Sequence, residues 1–174
     1  MKKTCLVTLG LVLLVAAPAF AGSASTNVSI SASIANNCTI TNAAVAFGSY
    51  DPIVTNAASS LVGSGTVTIT CTKGATTTIS LGLGNQASGS QRRMTDGVPN
   101  YMNYELYQPP NTTPGAACSY AGPTVWGTSG ANLFTPAAAP NKNARTYNIC
   151  GEVAAGQDLP AGSFTDTVVA TVNF

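Results

Sequence analysis

Along residues 27–34, "NVSISASI", Val28, Ile30, Ala32 and Ile34 alternate with Ser29, Ser31 and Ser33. A period of two marks a strand with one apolar face. The alternation returns in 65–72, "GTVTITCT", with Val67, Ile69 and Cys71 on one face, and in 76–84, "TTTISLGLG", with Ile79, Leu81 and Leu83. Further candidate strands are 38–41, 100–108 with Met102, Tyr104 and Leu106 on one face, a short one at 124–127, 144–153, and 162–174. Gly48 and Asp51-Pro52 mark a turn within 43–53, and the polar or Pro/Gly/Ala-rich stretches 85–99, 109–122 and 128–143 read as connections. No segment keeps a helical period. Seven to nine short strands with turn signals between them predict an all-β fold, an immunoglobulin-like β-sandwich; periodicity alone does not separate it from a jelly roll.

Two strands are odd for a closed sandwich. The last one puts Phe164, Val168, Ala170, Val172 and Phe174 on one face and runs to the final residue without a polar tail. Left uncovered, such an edge is an aggregation hazard. The first one, 26–35, is short, uncharged and apolar on one face, and it needs a sheet to pack into.

Residues 1–21 read as a secretory signal. Lys2 and Lys3 precede the apolar run 5–20, and Ala19-Phe20-Ala21 fits a small-x-small cleavage site. Pro18 breaks that run and no positive flank follows it, which disfavours a membrane anchor. Without Lys2 and Lys3, five basic residues face six acidic ones, a net charge of −1. No basic patch is present to hold nucleic acid, and so few charges suit an exported protein that assembles. Past the signal, Cys38, Cys71, Cys118 and Cys150 remain, an even number in an exported chain. Of three connectivities, Cys38–Cys71 with Cys118–Cys150 is preferred. It closes two loops of similar length between nearby strands, each worth roughly 3–4 kcal/mol in the chain-entropy model.

Candidate chemistry is sparse. The chain has no His, so Ser-His-Asp and Cys-His arrangements cannot be built, and without His or a CxxC pair a zinc site is disfavoured. The carboxylates Asp51, Asp96, Glu105, Glu152, Asp158 and Asp166 sit in no catalytic motif. Asp51 and Asp158 read as turn and loop residues, and Glu105 and Asp166 as part of a solvated face. "LGLG" at 81–84 lacks the Lys-Ser/Thr and helix of a phosphate loop. Trp126 with Tyr101, Tyr104, Tyr107 and Tyr120 reads as packing, with a sugar-binding surface as the alternative. No enzymatic activity, cofactor, metal or small-molecule substrate is expected.

Taken in order, "NNCTI", "VAFGSYDP", "GTVTITCTKG", "MNYELYQ", "TVWG" and "EVAAGQDLPAGSFTDTVVATVNF" resemble the spore coat protein U domain family, the archaic chaperone–usher pilins of Csu-type pili. The long connections 85–99 and 109–122 and the pair Cys118 and Cys150 depart from that pattern. The resemblance implies a signal peptide at 1–21, an N-terminal donor segment at 22–37 and an incomplete immunoglobulin-like pilin domain at 38–174. It also implies donor side chains Val28, Ile30, Ala32 and Ile34, and an acceptor edge, also bound by a periplasmic chaperone, at Phe164, Val168, Ala170, Val172 and Phe174. The Phe174 carboxylate would be held by basic chaperone residues. An outer-membrane usher and neighbouring pilin subunits would be the other partners, in a secreted surface pilus serving adhesion and biofilm formation. A self-contained carbohydrate-binding module and a spore coat protein are the alternatives.

Overall fold

The structure, a computed structural model, describes residues 21–120 and 124–174, so the expected signal lies almost wholly outside the described residues. Among the described residues seven strands appear: β1 Cys38–Ala46, β2 Leu61–Cys71, β3 Thr78–Leu81, β4 Arg92–Thr95, β5 Tyr101–Tyr107, β6 Arg145–Val153 and β7 Ala170–Asn173. They form a five-stranded sheet, β1-β2-β6-β5-β4, and a two-stranded sheet, β3-β7. Every ladder is antiparallel. The smaller sheet is widened by Ile79, which exchanges backbone hydrogen bonds with Phe134, and by Leu81, whose amide donates to Gly127 O.

The apolar faces read from the sequence close on each other. Val67 and Ile69 of β2, Ile79 and Leu81 of β3, Tyr104 and Leu106 of β5 and Tyr147 and Val153 of β6 are buried. Phe134 joins the two halves of this core, 5.0 Å from the Trp126 ring on one side and 5.0 Å from the Tyr147 ring on the other. The fully buried Trp126 indole donates to Ile79 O at 2.9 Å, so its polar edge is satisfied inside the core. Trp126 and Tyr104 are therefore core residues and offer no sugar-binding face.

Bridges join Cys38 to Cys71, with Cα atoms 4.1 Å apart, and Cys118 to Cys150, with Cα atoms 5.4 Å apart. The first links directly opposed residues of β1 and β2; the second ties the 109–120 connection to β6.

Several expectations change. The connection 85–99 contains β4, whose only apolar residue is Met94; a strand built on Arg92 and Arg93 carries no apolar alternation to read. The expected strand 124–127 is reduced to an isolated bridge between Tyr107 and Val125, and 162–174 to β7 plus a bridge between Thr95 and Thr165. Residues 21–37 form no strand. Alternation supplies a face, but a strand also needs a partner for its amides.

Candidate functional site

The open edges of the two sheets define the site. Among the described residues β1 is an outer strand of the large sheet, paired only with β2, and β7 is an outer strand of the small one, paired only with β3. Gly82 N donates to Val169 O at 2.9 Å and Asn85 N to Thr167 O at 3.2 Å. Odd-numbered residues of 167–173 thus turn their backbone groups toward β3. By alternation, Val168, Ala170 and Val172 turn theirs to the open edge while their side chains pack on the core. The result is a row of unpaired donors and acceptors beside an apolar floor.

Between the two edges lies a cleft of about 240 Å³, walled by Ala43, Ala44, Val45 and Phe47 on one side and Thr167, Val168 and Ala170 on the other. Leu81, Met94, Leu106 and Ile149 also line it. Its width on the β1 side comes from a β-bulge between Ala43 and Ala46. The bulge rests on glycines. A Cβ on Gly65 would stand 2.7 Å from Ala43 O, one on Gly63 2.6 Å from Ala46 O, and one on Gly151 2.7 Å from the Phe47 ring. Elsewhere Cα atoms of β1 and β7 come within 8 Å of each other, closer than the ~9.6 Å of two strand spacings.

One carboxylate stands in the cleft. Asp166 Oδ1 accepts from the amides of Asn85 at 2.9 Å and Gln86 at 3.2 Å, and Oδ2 accepts from the Tyr104 hydroxyl at 2.7 Å. Gly84, at φ +91°, makes room for it, since a Cβ there would stand 1.9 Å from Oδ2. Burial, with the Asp166 bond second, pushes the Tyr104 hydroxyl pKa well above its ordinary value, so it stays a donor. Asp166 is thus a clasp on the segment that crosses from β4 to β3, and the expected solvated position is corrected. Glu105 is corrected in the same way. It pairs with Arg92, whose side chain is fully buried. The remaining Arg92 donors go to Leu81 O, Gly82 O and Trp126 O, fastening the large sheet to the small one.

The expected acceptor residues divide. Phe164, Val168, Ala170 and Val172 are partly buried against the core, whereas Phe174 is 54% exposed. The expected donor residues Val28, Ile30 and Ile34 are 78%, 93% and 87% exposed, and Ala32 is exposed with them. Among the described residues no group of three His, Cys, Asp or Glu could hold a metal ion.

Comparison with known proteins gives three findings. The family model of the Spore Coat Protein U domain matches residues 24–171. "Protein U" of Myxococcus xanthus is 33% identical over 183 aligned residues, covering 97% of this chain and 94% of that protein. Among solved structures, the fold resembles a chain in the crystal structure of the CsuC–CsuE chaperone–tip adhesion subunit pre-assembly complex from the archaic chaperone–usher Csu pili of Acinetobacter baumannii. The TM-score is 0.53 at 20% identity, over 81% of this chain and 40% of that one. The chain thus spans well under half the length of its solved neighbour.

Proposed function

The chain belongs to the Spore Coat Protein U domain family, and from that membership we propose that it is a pilin, a structural and non-enzymatic subunit of an exported fibre. Copies join by strand insertion. Residues 26–35 of one copy lie in the cleft between β1 and β7 of the next, with Val28, Ile30, Ala32 and Ile34 filling it. Before assembly a periplasmic chaperone covers the same edge and an outer-membrane usher exchanges it, and the finished fibre serves adhesion and biofilm formation. Support for the chaperone comes from the fold-level neighbour, which is a chaperone–subunit complex.

The observation that carries this reading is the open edge. The backbone groups of Val168, Ala170 and Val172 face an apolar cleft with no strand beside them, while an alternating apolar segment of the same chain forms no ladder. Strand addition satisfies both: main-chain hydrogen bonds give affinity and alternate side chains give register. Burying Val28, Ile30 and Ile34 contributes about 1.5–3 kcal/mol each before ordering costs. Where β1 and β7 have closed up, the entering strand must part them.

The test is Ile30→Asp. The variant is expected to leave the periplasmic chaperone–subunit complex intact and to abolish fibres seen by electron microscopy of the producing cells. Normal fibres from that variant would refute strand insertion through Ile30.

A further inference from the structure

A second observation concerns where the inserting segment is rooted. Thr72 holds the last residues before β1. Its amide donates to Asn37 O at 2.9 Å, its hydroxyl to Ala35 O at 3.3 Å, and it accepts from Asn37 N at 3.1 Å. Ile34 is the last side chain of the inserting segment. Ala35, which ends that segment, is fastened through its carbonyl to the body of its own copy, one Cα–Cα step of about 3.8 Å from Ile34. There is no slack linker. When Ile34 of one copy is seated in the cleft of another, the Thr72 pole of the first body must lie against the second.

The topology says where. β1 runs away from the Thr72 pole and β7 runs back toward it, because Cys38 opposes Cys71 and Asn173 opposes Thr78. Insertion antiparallel to β7 continues the antiparallel order of the small sheet and runs parallel to β1. It also brings the inserted segment out at the opposite pole, leaving each copy one pole for each neighbour. At that pole stands the turn 51–56, and its construction is unusual for a bare loop. Asp51 accepts the amides of Ile53 at 2.9 Å and Val54 at 3.1 Å, and the buried Asn56 donates to Ser59 O at 3.0 Å. The Tyr50 hydroxyl bonds Ala154 O and the Gln157 amide. This rigid frame presents Ile53 and Val54, 81% and 75% exposed. Charge is also divided between the poles. The exposed Lys73 and Lys142 lie at the Thr72 pole, whereas Asp51, Asp96 and the exposed Asp158 lie at the other, together with the cation Arg93, which is stacked on Tyr101.

We propose that Ile53 and Val54 form a second contact between copies, packing on the Thr72 pole of the copy whose segment fills the cleft. The proposal rests on the strand-insertion reading above. The contact limits how two bodies pivot about the inserted strand and slows its withdrawal.

The test compares sheared fibres of the wild type and the Ile53→Asp/Val54→Asp variant, produced with the same chaperone and usher. A synthetic peptide of residues 24–37 is bound to each subunit in parallel. Peptide affinity is expected to stay within twofold of wild type, since neither side chain lines the cleft, while fibres dissociate on heating about tenfold faster. A charge swap adds a second arm: Lys73→Glu and Asp158→Lys each hasten dissociation, and the pair together restores it. Wild-type dissociation rates in all variants, with or without altered adhesion to solid surfaces, would overturn the second contact while leaving strand insertion standing. Failure of the peptide to bind the wild-type subunit would remove both.

Discussion

Tyr104 and Asp166 meet at 2.7 Å, hydroxyl to carboxylate, and join β5 of the five-stranded sheet to the segment leading into β7. The same carboxylate also takes two backbone amides, so one side chain sets where the segment leaves β4 and reaches β3. Tyr104→Phe removes the hydroxyl and leaves the packing. Hydrogen bonds to charged groups contribute about 1.5–3 kcal/mol, and thermal unfolding of the variant is expected to fall accordingly. An unchanged midpoint would mean that the amides alone hold the clasp.

Arg92 and Glu105 pose a harder case. The guanidinium is fully buried and the carboxylate only partly exposed. Removing one partner of such a pair leaves an uncompensated buried charge and costs about 3–5 kcal/mol. Glu105→Gln is expected to unfold at markedly lower denaturant concentration than the wild type. The double change Glu105→Gln with Arg92→Met is expected to recover part of the loss, which chemical denaturation of the two variants would measure.

Cys38 and Cys71 hold the start of β1, and β1 walls the cleft. Replacing both with Ser removes a constraint worth roughly 2–5 kcal/mol in a small exported domain. Lower periplasmic yield is the expected outcome, together with weaker binding of the 24–37 peptide. Equal yield and equal binding would show that β1 keeps its place without the bridge.

Ala170 is a small side chain on the β7 wall of the cleft. Ala170→Phe is expected to fill space that the inserted strand needs. Peptide binding should drop by at least about tenfold, while circular dichroism retains its β signature. Wild-type affinity would place the inserted strand elsewhere.

Acid gives a further check. Backbone amides of Ile53 and Val54 hold the Asp51 carboxyl below its ordinary value of 3.8, and Asn100 with the Val98 amide does the same for Asp96. A carboxylate whose folded pKa is depressed contributes stability above the unfolded value and loses it as pH falls through the folded one. Both turns are expected to hold unchanged from neutrality down to about pH 4 and to loosen below it. Amide chemical shifts of Ile53, Val54 and Val98 followed by NMR would show the transition, and a midpoint above 3.8 would contradict it.

The sandwich was legible because its core strands obey one rule. Val67, Ile69 and Cys71 alternate cleanly and are all buried, as are Met102, Tyr104 and Leu106. β4 was not, because of its two inward side chains only Met94 is apolar, the other being Arg92, a cation with many carbonyl partners. Asp166 and Glu105 misled for a related reason. Alternation assigns a side chain to a face, but a carboxylate can turn back to amides or a guanidinium that only the tertiary fold brings near. Gly84, adjacent to the Asn85 and Gln86 amides, was the one local hint, since its positive φ leaves space that Asp166 fills. The cleft showed in the sequence only through one wall, the apolar alternation that includes Val168 and Ala170, because its other wall, β1, lies more than a hundred residues away in the chain.

Gly63 and Gly65 line no part of that cleft, yet a single methyl group on either would press on the backbone of the β1 bulge. The caliper of the groove is therefore set from behind, by what is missing on β2. Two subunits with identical groove walls but different residues at these positions would accept different strands. Under the strand-insertion proposal, a fibre of mixed subunits would sort its members through residues that never touch the incoming chain.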